Sequence, residues 1–195
     1  TILDSDDTLT VIKKILKDMN LDPKIYNPRA IRNKISGAKN ELMDAENYSR
    51  FANTDYEQTV TDIFRRYEKK IKKNNSVDFD DLLVLPIKLF KENPEILKQY
   101  QDRFQYILVD EYQDTNETQY VLIKMLSAKN QNICVVGDID QSIYGFRGAN
   151  YRNILNFEKD YPKAKVILLE ENYRSTSNIL NVANDIIKNN KKRKE

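Results

Sequence analysis

The chain holds 195 residues, 40% hydrophobic and 32% charged, enough apolar material for one large domain or one domain with an insertion. It has no histidine, which excludes Ser-His-Asp triads, Cys-His dyads and His-ligated zinc within these residues, so any metal must be a hard cation on carboxylates. The net charge of +2 hides a division: residues 1–75 carry 15 Lys/Arg against 12 Asp/Glu, residues 76–187 carry 12 against 17, and the last eight, KNNKKRKE, carry 5 against 1.

In chain order, Asp6 to Asn20 reads as an amphipathic helix, with Leu9, Ile12, Leu16 and Met19 at helical spacing and acids at its front. Asn27-Pro28 is a capping pair that opens a second helix, on which Ile31, Ile35 and Ala38 share a face. Residues 41–54 are weakly patterned and read as loop or broken helix. Asp55–Lys73 is the clearest helix of the first half, and its stripe of Tyr56, Val60, Ile63, Phe64, Tyr67 and Ile71 is read as core. Nothing in the first 75 residues resembles a strand, so an all-helical subdomain is expected there. Asp78-Phe79-Asp80-Asp81 opens a further helix, which Pro86 should kink or restart, and Asn93-Pro94-Glu95 starts a short one.

Two apolar runs follow, Tyr106–Val109 and Ile133–Val136, joined by a helix-like segment from Asn116 to Ala128. Strand, helix, strand is how a chain builds two parallel strands, and the segments leaving both strands then lie at one edge of the sheet, where open α/β sheets bind ligands. Cys134, inside the second run, is expected to be a buried thiol in a reducing compartment. Asn150 can cap a short helix ending before Pro162, Lys165–Leu169 reads as a third buried strand, and Ser175 or Ser177 as the cap of a last helix. No apolar run approaches the roughly 20 residues that span a bilayer, and TILDSDDTLT lacks a signal-peptide pattern, so a cytoplasmic location and no membrane partner are expected.

Three polar clusters carry chemistry. Asp110-Glu111 leaves the first strand, where an aspartate can hold Mg2+ beside nucleotide phosphates and a glutamate can deprotonate an attacking water; an acid pair after an apolar run is by itself common. GDIDQSIYGFRGAN follows the second strand. Its Gln141 can both donate and accept, as a γ-phosphate sensor must, and three of the chain's four glycines, 137, 145 and 148, imply unusual backbone angles or close approach. Tyr144, Phe146 and Arg147 on that loop suit stacking on unpaired bases. In the third cluster, Tyr173 can stack on a purine and Arg174 is a fork-shaped donor for phosphate.

In this order the clusters resemble motifs II, III and IV of superfamily 1 DNA helicases of the UvrD/Rep/PcrA type, through ILVDEYQDTN, VVGDIDQSIYGFRGA and LEENYRST, and the resemblance covers nearly the whole chain. It implies an α/β fold, helix-rich overall, with an incomplete RecA-like (P-loop NTPase) parallel sheet and a helical insertion subdomain. Residues 1–75 would be the insertion that touches duplex DNA, 76–175 the C-terminal part of the first RecA-like motor domain, and 176–195 the start of the second or a linker with the basic tail. The resemblance implies ATP and Mg2+ as cofactors, with Asp110 and Glu111 at the metal and Glu111 as catalytic base. Gln141 would couple the γ-phosphate to the DNA site, Tyr173 would stack on adenine and Arg174 would act as an arginine finger. Tyr144, Phe146 and Phe79 would lie along single-stranded DNA, and Arg147 would make either a DNA-side contact or an internal salt bridge.

The family's Phe146 position is usually tryptophan, and no G-x-x-x-x-G-K-[ST] loop occurs in the 195 residues. The expectation is therefore an internal segment of a longer ATP-dependent 3′–5′ DNA helicase of repair or replication, with the remainder of that chain as partner, inactive by itself and with exposed apolar sheet edges. The alternatives are a stand-alone nucleic-acid-binding module derived from a helicase, or part of a RecB/AddA-like helicase-nuclease.

Overall fold

A computed structural model describes residues 1–189 and is helix-rich, with two small parallel sheets. It divides into two compact units, residues 1–105 with 116–130, and residues 106–115 with 131 onward.

The first unit is organised by helix caps and one apolar core. Helix α1, Ser5–Asp18, starts on a capping box in which Asp4 accepts from the backbone of Asp6 and Asp7 and Asp7 answers Asp4. Helix α2, Pro28–Asn40, has Asn27 as cap and proline in its first turn, as the sequence implies. A short α3, Ala45–Ser49, lies in the weakly patterned stretch. Helix α4 spans the expected Asp55–Lys73 behind a Thr54/Glu57 capping box. Their apolar faces meet in one cluster, in which Ile12, Leu16, Ile31, Ile35, Val60, Ile63, Phe64 and Tyr67 are all buried. Tyr56, read as part of the stripe, is half-buried and stacks on Tyr26 at 5.3 Å between ring centroids.

The expectation that the first 75 residues hold no strand is corrected here. Strand β1, Ile2–Leu3, pairs in parallel with β2, Val77–Asp78, with Ile2 opposite Val77 and Leu3 opposite Asp78. Two residues are too few to show the alternation by which a strand is read. Helix α5, Asp81–Glu92, continues through Pro86 and does not restart there. The hydrogen bond that proline removes would have reached the carbonyl of Leu82, on an exposed turn where water can replace it. Helices α6, Pro94–Arg103, and α7, Glu117–Ser127, complete the unit, α7 behind an Asn116/Gln119 capping box.

The second unit holds the parallel pair expected from the two apolar runs. Strand β3, Ile107–Val109, pairs with β4, Ile133–Val135, in the register Ile107↔Ile133, Leu108↔Cys134 and Val109↔Val135. Helix α8, Arg152–Asp160, covers the turn after β3, with Phe157 edge-on to the fully buried Tyr112 at 5.6 Å. Helix α9 runs Ser177–Ile187; its N-cap is Thr176, not Ser175 or Ser177, and Thr176 makes no side-chain cap bond.

Two burial expectations fail in this unit. Cys134 is exposed, and 165–169 forms no strand, with Val166, Ile167, Leu168 and Leu169 between 60% and 82% exposed. A parallel strand exists only beside a partner that takes its hydrogen bonds, and the described residues supply 165–169 with none. Tyr106 and Leu108 also stand three-quarters or more exposed. No described helix is long and apolar enough to cross a membrane. The basic tail read in KNNKKRKE lies, from residue 190 on, outside the described residues.

Candidate functional site

Because β3 and β4 run parallel with Val109 opposite Val135, the segments after them leave the sheet at the same edge. Asp110 and Glu111 are exposed there. Glu111 has φ +49° and ψ 45°, a left-handed conformation that a residue with a Cβ adopts at a cost of about 1–2 kcal/mol. Three bonds hold it: its N–H donates to Asp110 Oδ1 at 2.9 Å, its carbonyl oxygen accepts from the Asp114 N–H at 2.9 Å, and its Oε2 accepts from Gln113 Nε2 at 2.8 Å. Strain on an acidic residue at a strand's carboxyl end is the kind that surrounding structure maintains at functional sites.

After β4, Asp138 caps a 3-10 turn over Ile139–Gln141, taking the Asp140 N–H on Oδ1 and the Gln141 side-chain amide on Oδ2 at 2.8 Å. Gln141 is thus tethered through its donor, while its amide oxygen has no protein partner among the described residues. The next turn, Gly145–Arg147, closes on Gly148 at φ +88°, where a glycine is required. Gly137 answers the other expectation, close approach, because a Cβ there would stand 2.5 Å from Gln113 Oε1. Gly145 meets neither condition.

Phe146 is 79% exposed and Tyr144 38%, with ring centroids 6.1 Å apart. The Arg147 guanidinium lies 5.1 Å from the Tyr144 ring and 5.4 Å from the Phe146 ring. Among the described residues it forms no ion pair, so the internal salt bridge is not found and the arginine is held by the rings it would share with a base. Tyr173 and Arg174 lie on an exposed stretch, where Tyr173 Oη donates to Glu171 and Asn172 Oδ1 accepts from the backbone of Arg174 and Ser175. Among the described residues no hydrogen bond or ion pair joins either to Asp110 or Glu111.

Phe79 belongs to the first unit and is 60% exposed, on a turn fixed from within. Lys39 of α2 places its ammonium 2.7 Å from both Asp78 Oδ2 and Asp81 Oδ1, and Tyr67 Oη donates to Asp78 Oδ2 at 2.8 Å. Asp78 and Asp81 also take each other's N–H, so the residues on either side of Phe79-Asp80 are locked. Burial pushes the Tyr67 hydroxyl far up, keeping it a donor. Asp80, half-buried, is likewise pushed up by burial.

Sequence reasoning passed over Lys39 and Gln113. Lys39 carries a readable signal, standing four residues after Ile35 on an apolar helix face. Gln113 carries none. No cluster of three or more His, Cys, Asp or Glu able to hold a metal occurs among the described residues. The pair Asp110 and Glu111 nevertheless fits Mg2+, which takes one or two carboxylates and fills its shell with water and phosphate, and Asp110 keeps Oδ2 without a protein partner.

Residues 1–162 match the family described as UvrD/REP helicase N-terminal domain. The chain is 59% identical over 194 residues to the ATP-dependent DNA helicase PcrA of Bacillus subtilis, and 53% over 194 to that of Staphylococcus epidermidis. It is 48% identical over 193 residues to that of Leuconostoc citreum. These alignments take in 99–100% of this chain and 26–27% of each relative, so the chain spans about a quarter of the length of the curated relatives it matches.

Proposed function

Because the chain belongs to the UvrD/REP helicase N-terminal domain family, we propose that it is the part of an ATP-dependent DNA helicase that links the nucleotide to single-stranded DNA. The carrying observation is the shared sheet edge, from which Asp110 and Glu111 leave one strand and Gln141, Tyr144 and Phe146 follow the next.

In this reading the Asp110 carboxylate holds Mg2+, which supplies charge neutralisation at the β and γ phosphates. Glu111 Oε1, the oxygen not bonded to Gln113, takes the proton from water as the water oxygen bonds to the γ-phosphorus and the bridging oxygen leaves with ADP. Gln141 offers its free amide oxygen to accept a hydrogen from that water, beside the γ-phosphate. Arg174 neutralises charge on the transferring group, and Tyr173 stacks on the adenine. Tyr144 and Phe146 stack on successive bases with Arg147 beside them, and Phe79, in the first unit, is a further contact for single-stranded DNA. Residues 1–75 act as the insertion that meets duplex DNA, 76–175 as part of a RecA-like motor domain, and 176–195 as the entry to a second. The direction is 3′ to 5′ and the setting repair or replication.

The 195 residues contain no G-x-x-x-x-G-K-[ST] loop, so by itself this chain turns over no ATP. The test is the ATPase rate of the full-length protein with and without single-stranded oligonucleotide, beside the 195-residue chain. Stimulation by DNA that Glu111→Gln abolishes, with none from the short chain, is the expected result. Turnover that survives Glu111→Gln, or single-stranded DNA bound without any effect on hydrolysis, would favour a binding module instead.

A further inference from the structure

The carboxylate proposed as base and the loop proposed to meet DNA are joined by a buried side chain to which neither role assigns a function. Gln113 is 1% exposed. Its Nε2 donates to Glu111 Oε2 at 2.8 Å and to Asp114 Oδ2 at 3.3 Å, while its Oε1 accepts the backbone N–H of Asp138 at 3.1 Å. Its carbonyl oxygen takes the Ser142 hydroxyl at 3.4 Å. One amide therefore bonds the Glu111 carboxylate on one side and the start of the 138–147 loop on the other. Asp138 in turn holds the Gln141 amide, three residues before Tyr144.

The neighbourhood is shaped to admit this amide. Gly137 has no positive φ, so what it contributes is space: a Cβ there would lie 2.5 Å from Gln113 Oε1 and 2.9 Å from Ile154 Cδ1. Any side chain at 137 displaces the amide oxygen and breaks its bond to Asp138. The chemistry also singles out glutamine. A carboxylate at 113 would face Glu111 and Asp114 with like charge, and an aliphatic chain would take away the partner of the part-buried Asp138 N–H.

We propose that Gln113 is a positioning residue that ties the orientation of the Glu111 carboxylate to the placement of the 138–147 loop, so that DNA on that loop sets the rate of proton removal from water. This rests on the reading of Glu111 and of the loop given above. It adds the physical link, a donor and an acceptor on one rigid amide plane, so that a shift of Asp138 is passed to Glu111 Oε2 without any change in the sheet.

The test uses the full-length protein and measures ATPase rate against ATP concentration, with and without a saturating single-stranded oligonucleotide, for Gln113→Leu, Gly137→Ala and the double variant. The ratio of stimulated to unstimulated kcat should fall by about tenfold or more in each single variant, with KM for ATP and oligonucleotide affinity changed less than about threefold. The double variant should lose little beyond either single one, since both break the same bond. If Gln113→Leu does not fold, Gly137→Ala alone carries the test. A lowered melting temperature with an unchanged stimulation ratio makes Gln113 merely structural and overturns the proposal. Wild-type turnover that DNA does not stimulate, or that survives Glu111→Gln, instead overturns the functional reading beneath it and the proposal with it.

Discussion

Lys39 shows how much a single buried charge can fix. Its side chain is 4% exposed, and those of Asp78 and Asp81 are 8% and 11% exposed, so three charges sit out of water and are satisfied by each other, by Tyr67 and by the N–H groups of Asp78 and Asp81. Removing one partner of such a group leaves uncompensated charge, and Lys39→Met should cost about 3–5 kcal/mol, read as a lowered thermal midpoint. The same cluster gives a sign for acid. Burial alone would push the Asp78 carboxyl up, but the Lys39 charge and hydrogen bond, the Asp81 N–H and the Tyr67 hydroxyl outweigh it and hold the pKa below its ordinary value. A carboxyl depressed in the folded state contributes stability that is present above its unfolded pKa, about 4, and lost as pH falls through the folded value. The melting temperature of the chain should therefore fall steeply below about pH 4, and Asp78→Asn should flatten that limb while lowering the midpoint at pH 7. An equal acid slope in both proteins would show that Asp78 does not carry it.

Elements differ in how plainly the sequence announces them, and the difference is physical. Helix α4 has a Thr54/Glu57 capping box, a five-residue buried stripe and three lysines in its last turn, and its ends fall at the residues expected. Local signals and tertiary packing agree there, and Thr54→Ala should cost about 1 kcal/mol in urea unfolding. The strands β3 and β4 were legible because each is an apolar run that ends in acid, and the helix between them implied parallel pairing. The strands β1 and β2 were not, since two paired residues have no period. The run at 165–169 was misread because burial is a property of neighbours, which composition does not supply. In the candidate site the exposed acids, the loop glycines at 137 and 148 and the outward rings followed from the sequence. Gln113 did not, because nothing local marks a glutamine as buried. The loop makes its own prediction. Tyr144→Ala with Phe146→Ala removes two stacking faces, each worth about 1–3 kcal/mol, and should weaken binding of a labelled single-stranded oligonucleotide by anisotropy at least about tenfold. The salt slope should hardly change, because no phosphate contact is lost. An unchanged affinity would remove the rings from the proposed DNA path.

At the scale of the whole molecule the two compact units are covered unequally. The first encloses a core drawn from four helices, in which Ile31, Val60 and Ile63 are wholly out of water. The second keeps Tyr112 buried but leaves Leu108 79%, Ile167 79% and Leu169 82% exposed. Parallel sheets are ordinarily covered on both faces, and a two-stranded sheet is marginal without such cover. Native-state hydrogen exchange on the 195-residue chain should therefore separate the units. The amides of α4 should exchange only by opening with a free energy near the global one, and those of β3 and β4 should exchange well before them. Phe64→Ala, which opens a cavity in the first core, should speed α4 exchange by an amount equivalent to about 3–5 kcal/mol. It should leave β3 and β4 unchanged, because their protection comes from a different set of contacts. Conversely, Leu108→Glu with Ile167→Glu should lower binding of an apolar dye such as ANS and reduce self-association, because both side chains face water and neither belongs to the first core. Exchange that slows or speeds in step across both units on Phe64→Ala would mean that they unfold together. The stability of the edge carrying Asp110 and Glu111 would then be drawn from the helical core rather than from the local bonds of Glu111, Gln113 and Asp138.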